Sequence, residues 1–345
     1  MEKKKKIQKG IIIASLAALF LLCVYIETAE KKYGSCGENL TWAYRRGVLT
    51  ISGTGDMSYE GRAPWHKWCL DGIEKVVIKE GCTSIGEYAF QGSNCLTEVV
   101  LPDSLQCIGK GAFRNCKALT EIDFPDSLQW IDESAFADCS SLVQITLPDS
   151  LKGTGSSAFS NCVSLTQVNL PESFQEISMG MFDDCVSLRE VPLPDSLQTI
   201  GVAAFEGCSS LQEIDFPDTL KSVGAYAFYG CTSLEKVYLP DSISSIEEGV
   251  FIECTSLKEV RYPARLSYVP EAAFGGCSSL TEIDFSDSLE RIDKCAFENC
   301  TSLREVTFPD TIGAIEKNAF SNCTSLSAET KQRLAQHQVL GGSAG

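Results

Sequence analysis

The residues of this 345-residue chain that could do chemistry are 17 cysteines, two histidines and a large excess of carboxylates. The cysteines are the most regularly placed. Ten of them, from Cys116 to Cys323, recur every 23 residues. A thiol can attack a carbonyl, bind a soft metal or form a disulfide, and each use needs a partner at suitable spacing. The histidines are His66 and His337, near opposite ends of the chain, so no Cys/His or Ser/His/Asp site can be assembled along the repeating section. No zinc spacing, phosphate loop or dinucleotide fingerprint occurs, and no cofactor or metal is implied. Cysteine instead behaves as a consensus residue of the repeat, a small buried apolar group. In a stacked ladder, neighbouring Cα atoms sit about 4.8 Å apart. That distance admits a disulfide, but in-register side chains have poor torsion for one. Buried free thiols are the expectation, with bridging or a soft-metal ladder as the alternatives. Cys107 and Cys295 stand off the ladder and are candidates for reactivity or bridging.

Paired carboxylates are the remaining catalytic option, since acid pairs hydrolyse glycosides. Here the acids recur with the repeat and single out no pocket, so the chain is not expected to be an enzyme. The formal net charge of -17 argues against nucleic acid as a partner, because a phosphate backbone needs a basic face.

What positions these residues is a 23-residue unit. Phe90, Phe113, Phe136, Phe159, Phe182, Phe205, Phe228, Phe251, Phe274, Phe297 and Phe320 follow one another at that spacing without insertion or deletion. A fixed period of this length is the signature of a solenoid. Leucine stands six residues after each phenylalanine, from Leu96 to Leu326, and a β-branched residue three later, from Val99 to Val306. The apolar–polar–apolar alternation around that residue is one short half-buried strand. Proline ends it in nine of ten units, from Pro102 to Pro309, with Ser286 the exception. A second, shorter extended segment returns through Ile108, Ile131, Ile200 or Val223. Gly, Asn or Asp before the cysteine suits a tight turn. The expected architecture is a repeat solenoid with a parallel β-sheet on one face and a spine of phenylalanines inside. Thr154 in place of the late isoleucine, and Met181 in place of the alanine before Phe182, make 151–195 the least regular section.

The flanking segments divide as 1–32, 33–72, 73–326 and 327–345. Residues 1–32 carry a lysine-rich start and, within 7–26, an apolar run from Ile11 to Ile26, which reads as a signal peptide or an uncleaved membrane anchor. Sixteen apolar residues would span about 24 Å as a helix, short of the roughly 30 Å hydrocarbon core. Residues 33–72 hold Trp42, Trp65 and Trp68 and read as a small β-rich N-terminal cap, since an open first rung would expose apolar surface. Cys36 and Cys69 could bridge it in an oxidising compartment. A sugar-stacking role for these tryptophans is the alternative to cap core. Beyond the eleven repeats, Ala328–Leu340 is expected to form a capping helix, with Ser327 as its N-cap.

The frame Leu101-Pro-Asp-Ser-Leu105, Ile108, Ala112-Phe113, Cys116 and Leu119 resembles the BspA-like leucine-rich repeats. So does the lead-in Cys36-Gly-Glu-Asn-Leu-Thr-Trp42, then Leu49-Thr-Ile-Ser-Gly-Thr-Gly55 and Pro64-Trp65. The resemblance covers about 36–326. It implies a cell-surface or secreted protein that binds a host, matrix or neighbouring-cell protein, in the manner of an adhesin, with no catalytic motif.

Specificity must then reside where the repeats differ. The outward positions beside the β-branched residue form a largely acidic stripe, from Glu98 to Glu305, interrupted around Lys236, Tyr238 and Arg261. Lys236, Tyr238 and Arg261 with Glu213 and Glu259 are the candidate protein-binding residues, because Tyr and Arg are anchor types at interfaces. A solvated acidic face and a divalent-cation stripe are the competing readings. Trp130 and Tyr268 share another repeat position and are expected to be separate exposed aromatics. The function expected is adhesion or protein binding, ahead of a structural spacer or surface-layer protein and of a carbohydrate-active β-solenoid.

Overall fold

The structure is a computed structural model that describes residues 32–66 and 72–337. The apolar leader, Trp68, Cys69 and the residues after His337 lie outside it, and with them the Cys36–Cys69 pairing.

Each coil is built around its phenylalanine turn. The residue two before and the residue two after every repeat phenylalanine have φ between 53° and 76°, from Tyr88 to Asn322. This left-handed kink on both sides bends the chain round the ring and sorts the backbone N–H groups into two sets. Ala112, Arg114 and Cys116 donate three residues back within their own coil, each at 3.1 Å. Gly111, Phe113 and Asn115 donate to Glu133, Ala135 and Ala137 of the next coil at 2.9, 2.8 and 2.7 Å. The turn is therefore a local helix-like arc and an inter-coil ladder at once, which gives the backbone N–H groups of an interior turn their partners.

Inside the arc the rings form the spine. Centroids of successive phenylalanines lie 5.1–6.1 Å apart and the planes are within 22° of parallel. Beside the spine runs the cysteine ladder. Each Sγ, from Cys116 to Cys323, donates to the phenylalanine carbonyl of the preceding coil at 3.0–3.3 Å. Burial pushes the thiols from Cys116 to Cys277 up, Cys139 to about 12, which favours their neutral form, while in the last pair a hydrogen bond between Cys300 and Cys323 raises Cys300 and lowers Cys323. Outside the ladder, Cys107 is raised by burial and Cys295 by its hydrogen bond to Glu298. Both shifts disfavour the thiolate, and both cysteines are free and not bridged.

The two sides of the coil differ from one continuous parallel sheet. The strand-lined side consists of parallel pairs: Lys75–Ile78 with Glu98–Val100, Gln144–Thr146 with Gln167–Asn169, Lys236–Tyr238 with Glu259–Arg261, and Glu282–Asp284 with Glu305–Thr307. The coils of Glu121, Glu190 and Glu213 carry no regular strand there. In the second of these, Pro192 offers no N–H. The inward residues Ile122, Val191 and Ile214 stay buried even so. The opposite side holds two-residue bridges in longer parallel runs, with breaks after Thr154 and after Ile246.

At the N-terminus, β1 (Lys32–Ser35), β2 (Asn39–Arg45) and β3 (Val48–Asp56) form an antiparallel meander, and β3 then runs parallel to β4 (Lys75–Ile78). Trp42 and Trp65 are buried in it, so these two are core and not an exposed stacking platform. Trp65 stacks on Phe90 at 5.4 Å and takes the place of a phenylalanine before the first. At the other end, α1 (Ala328–His337) begins at Ser327, whose Oγ accepts the Thr330 N–H at 3.1 Å, and Leu334 packs on the last coil.

Two outcomes follow. Phe205→Ala, with a ring on each side, should cost about 3–5 kcal/mol in denaturant unfolding, whereas Phe320→Ala, with one neighbour, should cost less. Stability should also fall with alkali. The folded thiols titrate well above the ordinary value of 9.0, so their contribution is intact below pH 9 and is lost as pH rises toward 12, where the unfolded chain has already released its protons. A flat unfolding free energy over that range, with the thiols counted as free, would contradict the buried ladder.

Candidate protein-binding face

The outward side chains of the strand-lined side alternate with buried ones as exposed–buried–exposed triplets. Period 2 therefore places Lys236 and Tyr238 on the surface with Val237 in the core. The parallel register sets Lys236 against Glu259 and Tyr238 against Arg261. Lys236 Nζ lies 3.5 Å from Glu259 Oε2. The Tyr238 hydroxyl and Lys236 together hold the Glu259 carboxyl below the ordinary range. Arg261 Nη2 lies 3.4 Å from Asp241 Oδ2, and Asp241 also accepts the Ala264 N–H at 2.9 Å. Lys258 pairs with Glu235 at 3.0 Å.

Glu213 belongs to the coil before Lys236, one of those without a regular strand. Together with Gln212, Asp215, Glu235, Lys236 and Tyr238 it lines a shallow depression of about 510 Å³. All five candidate residues are thus brought to one surface: Glu213, Lys236 and Tyr238 in the depression, Glu259 and Arg261 on the next coil. Tyr238 is 44% exposed. Exposed ion pairs of this kind add little stability, but they hold an aromatic ring and a guanidinium in fixed positions. The pairing of Arg261 with Asp241 was not visible in the alternation, because Asp241 sits beyond the proline that ends the neighbouring coil's strand.

The acidic stripe is less repulsive than a column of glutamates. Lys75 and Lys236 each face a glutamate across the register. Glu305 accepts from the Ser327 and Thr330 hydroxyls at the start of α1. Tyr268 is not an exposed aromatic. It is half-buried, its hydroxyl donates to the Ile246 carbonyl at 3.2 Å, and the Arg291 guanidinium lies 5.7 Å from its ring centre. Trp130 is exposed. Among the described residues no group of three or more His, Cys, Asp or Glu converges on a metal position, and no helix is long and apolar enough to cross a membrane.

With this geometry in place, the comparisons with known proteins are specific. A family model described as the BspA type leucine rich repeat region matches residues 66–189, 175–290 and 267–335. Among solved structures, a leucine-rich repeat protein from Bacteroides ovatus is 26% identical over 84% of this chain and 92% of its own, with a TM-score of 0.56. A leucine-rich repeat protein from Eubacterium ventriosum is 24% identical over 86% and 90%, with a TM-score of 0.57. A leucine rich cell surface protein from Faecalibacterium prausnitzii is 23% identical over 91% and 98%, with a TM-score of 0.53. The last two show the fold. No curated protein matches the chain.

The electrostatic arrangement is open to measurement. Tyr238→Phe removes the hydroxyl that stabilises the Glu259 carboxylate and should raise the Glu259 pKa toward its ordinary value, as read by carboxylate NMR titration. An unchanged Glu259 titration would show that the two side chains do not meet in solution.

Proposed function

The chain belongs to the BspA-type leucine-rich repeat family, and on that premise we propose that it is an exported, cell-surface protein that binds a protein ligand through its strand-lined face. The observation that carries the reading is the Lys236–Tyr238–Glu259–Arg261 cluster. It is a place where the repeats disagree in charge and aromatic content, and it is fully outward in a scaffold whose inward positions are fixed by packing. Tyr and Arg supply large contact area and directed hydrogen bonds, the properties that concentrate binding energy at interfaces. The surrounding acids, Glu213, Asp215 and Glu235, favour a ligand with a basic patch and would steer its approach.

The similar structure described as a cell surface protein supports the location, as does the lysine-led apolar stretch of residues 7–26, which would export the repeats and, if uncleaved, tether them to the membrane. The ligand would be a host, matrix or neighbouring-cell surface protein, and the activity adhesion.

The test is surface plasmon resonance of the full chain against purified extracellular-matrix and cell-surface proteins. Tyr238→Ala/Arg261→Ala should weaken the interaction by at least about tenfold, the scale of a hot-spot loss. Equal binding by the double variant would remove this patch as the site, and no binding to any of these proteins would remove the adhesive function.

A further inference from the structure

The bridge side of the coil is interrupted at two levels, after Thr154 and after Ile246. In regular coils this side is closed by backbone bonds. Lys152 and Gly155 donate to Gln129 and Ile131 at 3.0 and 2.8 Å, and Gln198 and Gly201 donate to Gln175 and Ile177 at 2.8 Å each. Between the coils of Thr154 and Ile177 the corresponding bonds are absent. Among the described residues the N–H groups of Gln175 and Ser178 have no acceptor and the carbonyls of Lys152 and Thr154 no donor. The phenylalanine spine is at its widest at the same level, 6.1 Å between Phe159 and Phe182.

The cause is local. Thr154 stands where other coils have Ile or Val, and its hydroxyl lies 2.9 Å from Ser178 Oγ and 3.4 Å from Met181 Sδ. Ser178 Oγ in turn donates to the Gly155 carbonyl at 3.0 Å. These side-chain bonds replace the backbone ladder and leave the coils apart. At the second break on this side, after Ile246, the Ser267 N–H and the Ser244 carbonyl are also without backbone partners among the described residues, but the Tyr268 hydroxyl donates to the Ile246 carbonyl, the counterpart of the Thr154 carbonyl. At the first break nothing fills the gap, and a groove of about 780 Å³ opens over it.

The groove has an aromatic wall. Trp130 is 41% exposed and leans over Gly153, where a Cβ would come within 2.8 Å of the indole. Only glycine at 153 lets the ring occupy that space. Met179, 52% exposed, stands at the other side. Between them lie Asp149, Lys152, Gln175 and Glu176.

We propose that this groove is a saccharide-binding subsite, with Trp130 as the stacking platform and the unpaired backbone groups beside it reading hydroxyls. The chemistry favours that class. A sugar hydroxyl donates and accepts at once, which suits donors and acceptors facing each other across a gap. An extended peptide instead needs donors and acceptors alternating along one edge. The flanking charges are of both signs, so an anion gains no field. An indole offers a broad apolar surface with a polar edge, matching the apolar face and polar rim of a pyranose. The site lies on a different side of the coil from the Lys236 patch and is independent of the protein-binding reading.

The full chain would be screened on a glycan array and titrated with chitotriose, cellotriose and xylotriose, following tryptophan fluorescence. At least one saccharide should bind and perturb the emission. Trp130→Ala should weaken it by about tenfold or more, and Gly153→Val, which displaces the ring while keeping the indole, should weaken it as well. Tyr238→Ala/Arg261→Ala should bind the same saccharide as wild type, which separates this site from the strand-lined face. Circular dichroism of each variant confirms the coil. Failure of every saccharide, binding that ignores Trp130→Ala, or Trp130-dependent retention of peptides alone would overturn the proposal.

Discussion

Everything in this molecule depends on the phenylalanine turn handing half of its N–H groups to the next coil. A single coil has no partner for them and too little apolar surface to fold alone. Stacking satisfies the donors, sets the rings about 5–6 Å apart and encloses the thiols in one step. The constraint is severe because the geometry requires two left-handed residues per coil. For L-residues that conformation costs roughly 1–2 kcal/mol, less for Asn, Asp and Gly. The residue after the ring meets it with Asn, Asp or Gly in every coil but one, where Glu253 stands. The residue before the ring includes Ala203, Tyr226 and Cys295, so there the strain is carried by the surrounding ladder and spine.

The same directionality makes the two ends chemically different. In the phenylalanine turn, inter-coil bonds run from the N–H of one coil to the carbonyl of the next, so there the first coil is left with open carbonyls and the last with open N–H groups. The cap closes the carbonyl end with side chains. Trp65 Nε1 donates to Ala89 at 2.7 Å and the Tyr59 hydroxyl to Glu87 at 2.9 Å, the two carbonyls that a preceding coil would have used. Trp65 thus continues both the ring stack and the hydrogen-bond ladder although it is out of phase with the repeat. At the far end, α1 covers the core beside Phe308 through Arg333, His337 and Leu334. The N–H groups of Asn318, Phe320 and Asn322 have no acceptor among the described residues.

How much of this was legible in the sequence follows from which interactions repeat. The ring spine recurs in every coil and the thiol ladder in every coil after the first, so a single period exposed them. The five outward residues of the candidate site could be placed together because an unbroken 23-residue register converts sequence position into spatial position. What the period could not show is anything arising from one coil's departure from it. The alternation around Glu121 and Glu213 predicts strands that do not form, because pairing depends on the neighbour as well as on the pattern. Tyr268 looked exposed because its repeat position is outward, yet a missing backbone bond let its hydroxyl turn inward. The left-handed residue before each ring gave no compositional signal at all.

A scaffold this tightly specified confines function to two kinds of position. Outward side chains can vary without disturbing the stack, and they produce a surface of charge and aromatic character with continuous backbone beneath, as at Tyr238 and Arg261. Inward substitutions cost packing, but a rare polar one such as Thr154 changes the backbone itself. A hydroxyl inside the coil must find a hydrogen bond, and Thr154 finds it in Ser178 and Met181 at the expense of the ladder. The result is unpaired main-chain polarity at a groove beside an indole, a surface that no outward substitution could create. The two surfaces therefore differ in chemistry for a structural reason: one is written on the coil and the other opens between two coils.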